Sequence, residues 1–276
     1  MKSSVIGVLF ACLMLVAGNA RAEHKLLVTE VLDAGQIEAE ATFEYLHLEQ
    51  DFDANFPVAE DERTLNAQET FYSLGVGIGH DLEVSVEIPY VIFEKEKIEE
   101  TEEVDGFGDL AIEGKYRVFE EEHMPFTLTA GLGVKFDTAG EDDAGTGTTD
   151  ISPFLAVSKE LAEHVEGYAV YRAVLVNHDG SDEHSLTFGV EAELNETLTL
   201  DVALRAAHNT SEDEVSSFQT YGIEAAAYVQ VARNLYLIPF AGVERSTSID
   251  LEEGPLEIDI DPANLYRAGL SVYYLY

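Results

Sequence analysis

Apolar and polar side chains alternate at every second residue through most of this chain, from Gln36 to Tyr276. A period of two places successive side chains on opposite faces of a β-strand, and no stretch after residue 22 keeps a helical period over three turns. The alternation therefore predicts an all-β fold of about twelve strands. The predicted strands span 36–49, 67–78, 82–94, 107–119, 126–136, 150–158, 165–177, 184–194, 198–208, 218–230, 235–246 and 264–276.

Charge is sorted between the two faces of these strands. In the five clearest segments none of the 27 even-numbered positions is charged. The alternating odd positions carry ten charged residues, namely Asp109, Glu113, Lys115, Arg117, Lys135, Glu191, Glu193, Asp201, Arg205 and Arg267. One face of each strand is apolar and the other is polar. This pattern fits either a soluble sandwich with an apolar core or a membrane barrel with an apolar exterior.

The connections between strands separate these two folds, because every second connection is long. Long links fall at 50–66, 95–106, 137–149, 178–183, 209–217 and 247–263, and they hold 27 of the 54 acidic residues. Short turns such as 79–81 and 195–197 alternate with them. Short periplasmic turns and longer external loops are typical of transmembrane barrels.

The carboxyl-terminal segment favours the same fold. Residues 266–276 alternate to an aromatic last residue, which resembles the terminal strand recognised by the barrel-assembly machinery of Gram-negative bacteria. Aromatic residues also gather near predicted strand ends, as interfacial girdles do, among them Tyr116, Phe136 and Tyr221. We therefore predict a transmembrane antiparallel up-and-down β-barrel of the outer-membrane type over residues 36–276, with both termini on the periplasmic side.

The first 22 residues are predicted to form a signal peptide. Lys2 precedes an apolar run from Val5 to Gly18, and Ala20-Arg21-Ala22 fits a signal-peptidase site. The run is shorter than the roughly 20 residues that a membrane-spanning helix needs. The predicted location is the outer membrane, with residues 23–35 forming either a periplasmic arm or a plug inside the barrel.

Composition limits the partners of the chain. Its 15 Lys and Arg stand against 54 Asp and Glu, a formal charge of −39, while 46% of the residues are hydrophobic. That excess of carboxylates excludes a nucleic-acid binder, and the hydrophobic content excludes a disordered acidic tail. The expected partners are outer-membrane lipids and lipopolysaccharide, the barrel-assembly machinery and a small-molecule permeant.

Three motifs between residues 106 and 172 carry a resemblance to a known family. They are Gly106-Phe107-Gly108-Asp109-Leu110 running into Gly114-Lys115-Tyr116-Arg117, then Gly131-Leu132-Gly133-Val134-Lys135-Phe136 before the Gly-rich stretch 140–147, then Asp150, Pro153 and Ser158-Lys159. This block, with the preceding 82–90, resembles the outer-membrane channel family first associated with the meta-cleavage pathway of phenol degradation. The resemblance implies a channel for small molecules, hydrophobic or aromatic ones included.

The odd-numbered face supplies the candidate pore residues. Inward-facing odd positions place Lys115, Arg117, Lys135, Arg205 and Arg267 in the lumen, and strand 165–177 adds Arg172. They would meet the acidic residues Asp109, Glu113, Glu191, Glu193 and Asp201. Such residues form either a charged constriction that filters solutes or a charge-compensated network that fills a narrow barrel.

Two other functions are compatible with a barrel. The acidic loops suit a closed structural or adhesive barrel that binds partners outside the cell, and His184 or His208 at the rim could imitate a barrel hydrolase. His184 and Ser185 are adjacent on a strand and so point to opposite faces. The sequence carries no phosphate-binding loop, Cys/His metal spacing or dinucleotide fingerprint, so we expect no cofactor, no metal and no enzyme activity.

Overall fold

A computed structural model describes residues 28–50, 63–96, 101–140, 144–177, 181–210, 216–253, 256–260 and 262–276. The described residues contain β-strands, turns and irregular segments and no helix. The predicted signal peptide over residues 1–22 lies outside them. The strands are β1 (Ile37–Gln50), β2 (Arg63–Gly77), β3 (Leu82–Glu96), β4 (Thr101–Phe107), β5 (Ala111–Phe119), β6 (Thr127–Lys135), β7 (Thr149–Ala162), β8 (Val165–Asn177), β9 (Glu183–Asn195), β10 (Leu198–Asn209), β11 (Phe218–Ala232), β12 (Leu235–Ser246), β13 (Ile249–Glu253), β14 (Leu256–Ile260) and β15 (Ala263–Leu275).

The strands close into one antiparallel barrel. Each wall strand pairs with its neighbours in sequence, and β1 pairs with both β2 and β15, which joins the two ends of the sheet. β4 and β5 both pair with β3 and together make one wall strand, while β13 and β14 form a separate hairpin. The result is a twelve-stranded barrel, which confirms the predicted fold. Within the described residues no helix is long and apolar enough to cross a membrane.

Two details differ from the sequence prediction. The predicted strand 107–119 is interrupted at residues 108–110, and its first half starts earlier, at Thr101. The predicted loop 247–263 contains the hairpin β13–β14. β4 forms because it pairs with β3, and β13 forms because it pairs with β14. The alternation of apolar and polar residues within each segment does not by itself predict these pairings.

The exterior of the barrel is apolar. Leu204, Phe188 and Tyr116 are more than half exposed, although each lies within a regular strand. Residues at the alternate positions of the same strands, such as Asp201 on β10 and Lys115 on β5, are buried. An exposed apolar face and a buried polar interior are the reverse of a soluble core, so lipid surrounds this barrel.

The short turns and both chain ends meet at one end of the barrel. The backbone of Ile37, where β1 begins, exchanges hydrogen bonds of 2.8 and 2.7 Å with Tyr276, and Leu275 donates to the carbonyl of Asn234 in the turn between β11 and β12. The short turns 78–81 and 163–164 lie at this same end because consecutive strands alternate in direction. It is therefore the periplasmic end.

Candidate functional site in the barrel lumen

All six basic residues predicted for the lumen form ion pairs. Lys115 is buried and lies 3.5 Å from Glu83, its partner in the β3–β5 register. Lys135 lies 2.5 Å from Asp150, again across a strand pair. The register that closes the barrel therefore also positions these charges, because cross-strand side chains are close neighbours.

Arg117 occupies the periplasmic end of β5. Its guanidinium lies 3.1 Å from Asp81 in the turn between β2 and β3, and 3.4 Å from Glu120. It therefore ties two adjacent periplasmic turns together.

Arg172 on β8 reaches across the barrel interior. Its Nη1 lies 2.8 Å from Glu113 on β5, and its guanidinium carbon lies 4.6 Å from the centre of the Phe154 ring. The ring lies over Gly131, where an added Cβ would come within 2.2 Å of two of its atoms. Gly131 thus makes room for the aromatic face on which the cation rests.

Arg205 and Arg267 complete the set. Arg205 lies between Glu183 at 2.5 Å and Glu244 at 2.8 Å, and Arg267 lies 2.8 Å from Glu224. Every predicted lumenal cation is thus matched by a carboxylate. Their role in lining a conducting pore, and their place at its narrowest part, stay predictions.

Four of the five predicted acidic residues lie in three different surroundings. Glu113 pairs with Arg172, as described above. Asp201 and Glu191 face each other in the β9–β10 register, and the hydroxyl of Tyr168 donates to Asp201 at 3.0 Å. Glu193 lies near the periplasmic end, 2.9 Å from Nδ1 of His164. That contact raises the pKa of His164, an exposed residue in the turn between β7 and β8.

Asp109 lies in the break between β4 and β5. Its Oδ1 accepts hydrogen bonds from the amides of Thr138 and Ala139, and its Oδ2 accepts from the amide and hydroxyl of Thr146. Burial alone raises the pKa of this carboxyl, but the four donors outweigh it and hold the pKa below its ordinary value. Asp109 therefore fastens the two ends of the β6–β7 loop to the barrel wall.

Two cavities of the lumen are bordered by described residues. The central cavity has a volume of about 420 Å³ and is bordered by Glu38, Glu44, Lys115, Tyr228 and Arg267 among others. The periplasmic cavity has a volume of about 710 Å³, and its walls include Arg117, His164, Glu191 and Glu193.

The segment before β1 lies between these cavities. Val28 borders the central cavity, whereas Thr29 and Glu30 border the periplasmic one. The hydroxyl of Thr29 donates to Ser158 at 2.9 Å, and its carbonyl accepts from Thr129 at 2.6 Å. Residues 28–36 thus contact the wall at β6 and β7.

Leu32 holds the same segment against the other side of the barrel. It is 2% exposed and packs in an apolar cluster with Tyr236, Ile238, Tyr273 and Leu275. Its amide donates to Glu83 at 2.9 Å. Whether residues 23–35 serve as a periplasmic arm or as a plug stays a prediction. Residues 23–27 lie outside the described part of the chain.

The rim histidines do not assemble a hydrolase site with their sequence neighbours. His184 Nδ1 lies 2.9 Å from the hydroxyl of Tyr171, while the hydroxyl of Ser185 donates to the carbonyl of Arg172 on the other face of the sheet. Asp201 is engaged by Tyr168. Among the described residues, three metal-type ligands come within 4.8 Å only at Glu120, Glu122 and His123, which are exposed in a periplasmic turn.

Sequence reasoning missed the glutamates of β1. Glu38, Glu40 and Glu44 border the central cavity, on the inward face of that strand. Their signal is present in the sequence, since Ala39, Ala41, Phe43 and Tyr45 occupy the alternate positions. On β1 the even-numbered residues face inward, whereas on the five clearest strands the odd-numbered residues were predicted to do so.

Comparison with known proteins supports the fold. No protein-family model matches the chain, and no curated protein matches it. Among solved structures, the COG4313 outer-membrane channel of Pseudomonas putida F1 is similar at a TM-score of 0.68 and 12% identity, over 92% of this chain and 100% of that one. The translocator domain of the autotransporter NalP from Neisseria meningitidis gives 0.52 at 6% identity, over 99% and 97%. The NanC porin gives 0.50 at 12% identity, over 84% and 98%.

These neighbours share an architecture and differ in function. At such low identity the likeness shows the fold alone. Together with the apolar exterior, it identifies this chain as an outer-membrane β-barrel.

Proposed function

We propose that this protein is a passive outer-membrane channel for small molecules. The observation that carries the proposal is the polar lumen, in which two cavities bordered by charged side chains lie on either side of residues 28–36. Water-filled space lined by fixed charges is the arrangement that channels use to pass small solutes. Diffusion through such a lumen requires no cofactor.

The segment 28–36 acts as a partial plug in this proposal. Thr29 and Leu32 attach it to opposite sides of the wall, so a permeant passes beside it or displaces it. The contacts of Thr29 are hydrogen bonds with two hydroxyl side chains, which water can replace.

The substrate class is a finer part of the proposal. The motifs between Gly106 and Lys159 resemble the channel family of the phenol meta-cleavage pathway, which supports small hydrophobic or aromatic permeants. Aromatic side chains in the lumen, such as Tyr168 and Tyr228, are compatible with that class.

The terminal strand supports a route into the membrane. β15 alternates apolar and polar positions up to Leu275, which fits recognition by the barrel-assembly machinery. Lipopolysaccharide and lipid then surround the exposed apolar side chains.

Planar-bilayer recording tests the function. We expect discrete conductance steps from purified, folded protein, with foldedness checked by heat-modifiable migration on gels. In liposome-swelling assays small neutral solutes should enter faster than into protein-free vesicles. Folded protein that neither conducts nor swells liposomes would contradict the channel.

A closed structural barrel is the alternative, and one observation favours it. The predicted lumenal cations are all paired and residues 28–36 lie across the interior, as expected of a filled barrel. Loop-deletion variants separate the two functions. If the barrel is closed, deleting the acidic loops abolishes partner binding on the cell surface, and neither the wild type nor the variants conduct.

A further inference from the structure

A buried carboxylate, one oxygen of which has no hydrogen-bond partner among the described residues, borders the central cavity. Glu44 on β1 is 8% exposed, borders the cavity, and its Oε1 has no hydrogen-bond partner among the residues that the structure describes. A carboxylate removed from water in this way is costly unless a positive charge or a donor compensates it.

Charged residues lie on both sides of Glu44, with Arg267 offsetting part of that cost and Glu69 adding to it. Directly across the β1–β2 pair lies Glu69, and like charges at opposed positions of a sheet repel each other. The nearest arginine, Arg267, is engaged with Glu224 at 2.8 Å. The strand on the other side of Glu44 contributes Gly269, which has no side chain.

The lining of the cavity holds more acidic than basic side chains. Its lining contains one lysine and one arginine. Against them stand six glutamates, Glu38, Glu40, Glu44, Glu83, Glu113 and Glu224. Lys115 lies against Glu83, Arg267 against Glu224 and Arg172 against Glu113, so even with Arg172 included six glutamates face three basic side chains. The potential in this cavity therefore attracts cations.

An aromatic face lies beside Glu44. β15 lies between β12 and β1. Its Gly269 is paired with Phe240 on β12 and with Glu44 on β1, so the three residues lie side by side across the three strands. A Cβ on Gly269 would come within 2.3 Å of the tip of the Phe240 ring, so the ring leans over the glycine toward β1. A carboxylate beside an aromatic ring is a favourable environment for an organic cation.

The geometry disfavours a metal ion here. Calcium takes six to eight oxygen ligands. In the described part of the lumen no three metal-type ligands come within 4.8 Å of one another. The cavity volume of about 420 Å³ falls in the range of small-molecule sites.

We propose that the central cavity binds a small organic cation, an aromatic or quaternary ammonium, with Glu44 as its counter-charge and Phe240 as its aromatic contact. As the class of permeant this rests on the proposed channel function, whereas the binding itself does not. Glu69 adds to the negative potential at the site.

Isothermal titration calorimetry of the folded, detergent-solubilised protein tests the site, with benzyltrimethylammonium as the probe. We expect saturable binding of one cation per chain, and none of benzenesulfonate, which has the same ring and the opposite charge. Glu44→Gln should weaken binding by about tenfold or more, and Phe240→Leu by about fivefold. Glu166→Gln is the matched control, since it removes a glutamate of the periplasmic cavity and should leave the affinity unchanged.

Several results would overturn the site. These are the absence of saturable binding by folded wild-type protein, equal binding of benzenesulfonate, and unchanged affinity in Glu44→Gln. If Glu44→Gln does not fold, Glu69→Gln replaces it, with a several-fold loss expected and an unchanged affinity counting against the site. Bilayer conductance is measured separately. Binding without conductance keeps the site and contradicts the channel, and conductance without binding does the reverse.

Discussion

The guanidinium of Arg172 lies against the face of Phe154 while its Nη1 contacts Glu113, so one side chain joins β8 to β7 and, across the lumen, to β5. Both charged side chains are less than a third exposed. Their pairing therefore stabilises the barrel more than a surface ion pair does.

Arg172→Gln should destabilise the barrel by about 1–2 kcal/mol, because Glu113 loses its charged partner and Phe154 its cation. Urea-induced unfolding in lipid vesicles, followed by gel migration, measures the change. The double variant Arg172→Gln with Glu113→Gln should recover part of the loss. If the double variant is as unstable as the sum of the two single variants, the pair is not coupled.

Glu44→Gln should raise the stability of the ligand-free barrel by about 1 kcal/mol, since it removes a buried charge opposite Glu69. The matched variant Glu224→Gln should lower stability, because it deprives Arg267 of its partner. Urea midpoints compared side by side test the opposite signs. If the urea midpoints of both variants shift in the same direction, Glu44 is not an unpaired charge or Glu224 is not the partner of Arg267.

Asp109 should make the β6–β7 loop sensitive to acid. A carboxyl whose pKa is lowered by folding contributes stability above its unfolded pKa, and that stability is lost as pH falls through the lowered value. The protection of the Thr138, Ala139 and Thr146 amides from hydrogen exchange, relative to an unstructured peptide at the same pH, should therefore be high near neutral pH and be lost in strong acid, below the ordinary pKa of 3.8.

Asp109→Asn provides the control for this loop. The amide group of asparagine keeps one acceptor for Thr138 and Ala139 but places a donor where Thr146 donates, so the Thr146 amide should be unprotected at every pH. Protection that persists in the variant would show that other contacts hold the loop.

Leu32→Asp should release residues 28–36 from the lumen. A carboxylate cannot be accommodated in the apolar cluster around Tyr273 and Leu275, so we expect single-channel conductance to rise several-fold. Ala34→Asp introduces the same charge at an exposed position of the same segment and should leave conductance unchanged. Equal conductance of the two variants would mean that the segment does not restrict flow.

Leu204→Arg should destabilise the barrel by about 2–4 kcal/mol, because Leu204 lies in the middle of β10 on the lipid-facing surface. Leu204→Phe, which stays apolar, should have little effect. Refolding yields into vesicles, measured by gel migration, compare them. Similar yields for both would contradict the assignment of this face to lipid.

Much of the fold follows from local pattern. Leu186, Val202 and Leu270 are exposed to lipid because their neighbours one residue away are inward, and that alternation is visible in the sequence. The inward glutamates of β1 follow from the same rule, applied to a strand with the opposite parity.

Other features depend on contacts that local pattern does not contain. The alternating pattern of β5 continues in the sequence to Asp109, yet the strand is interrupted there. The carboxylate of Asp109 instead accepts a hydrogen bond from a loop about 30 residues further along the chain. The apolar residues of the segment before β1 fit an arm as well as a plug. The burial of Leu32 against Tyr273 and Leu275 is a tertiary contact that the local pattern does not contain.

The position of residues 28–36 bears on how the barrel assembles. This segment runs directly into β1, and β1 is the strand that must find β15 to complete the circle. Leu32 of the same segment packs against Tyr273 and Leu275 on β15. One continuous stretch of chain therefore contacts both strands of the closing seam, so docking of this segment and closure of the circle stabilise each other.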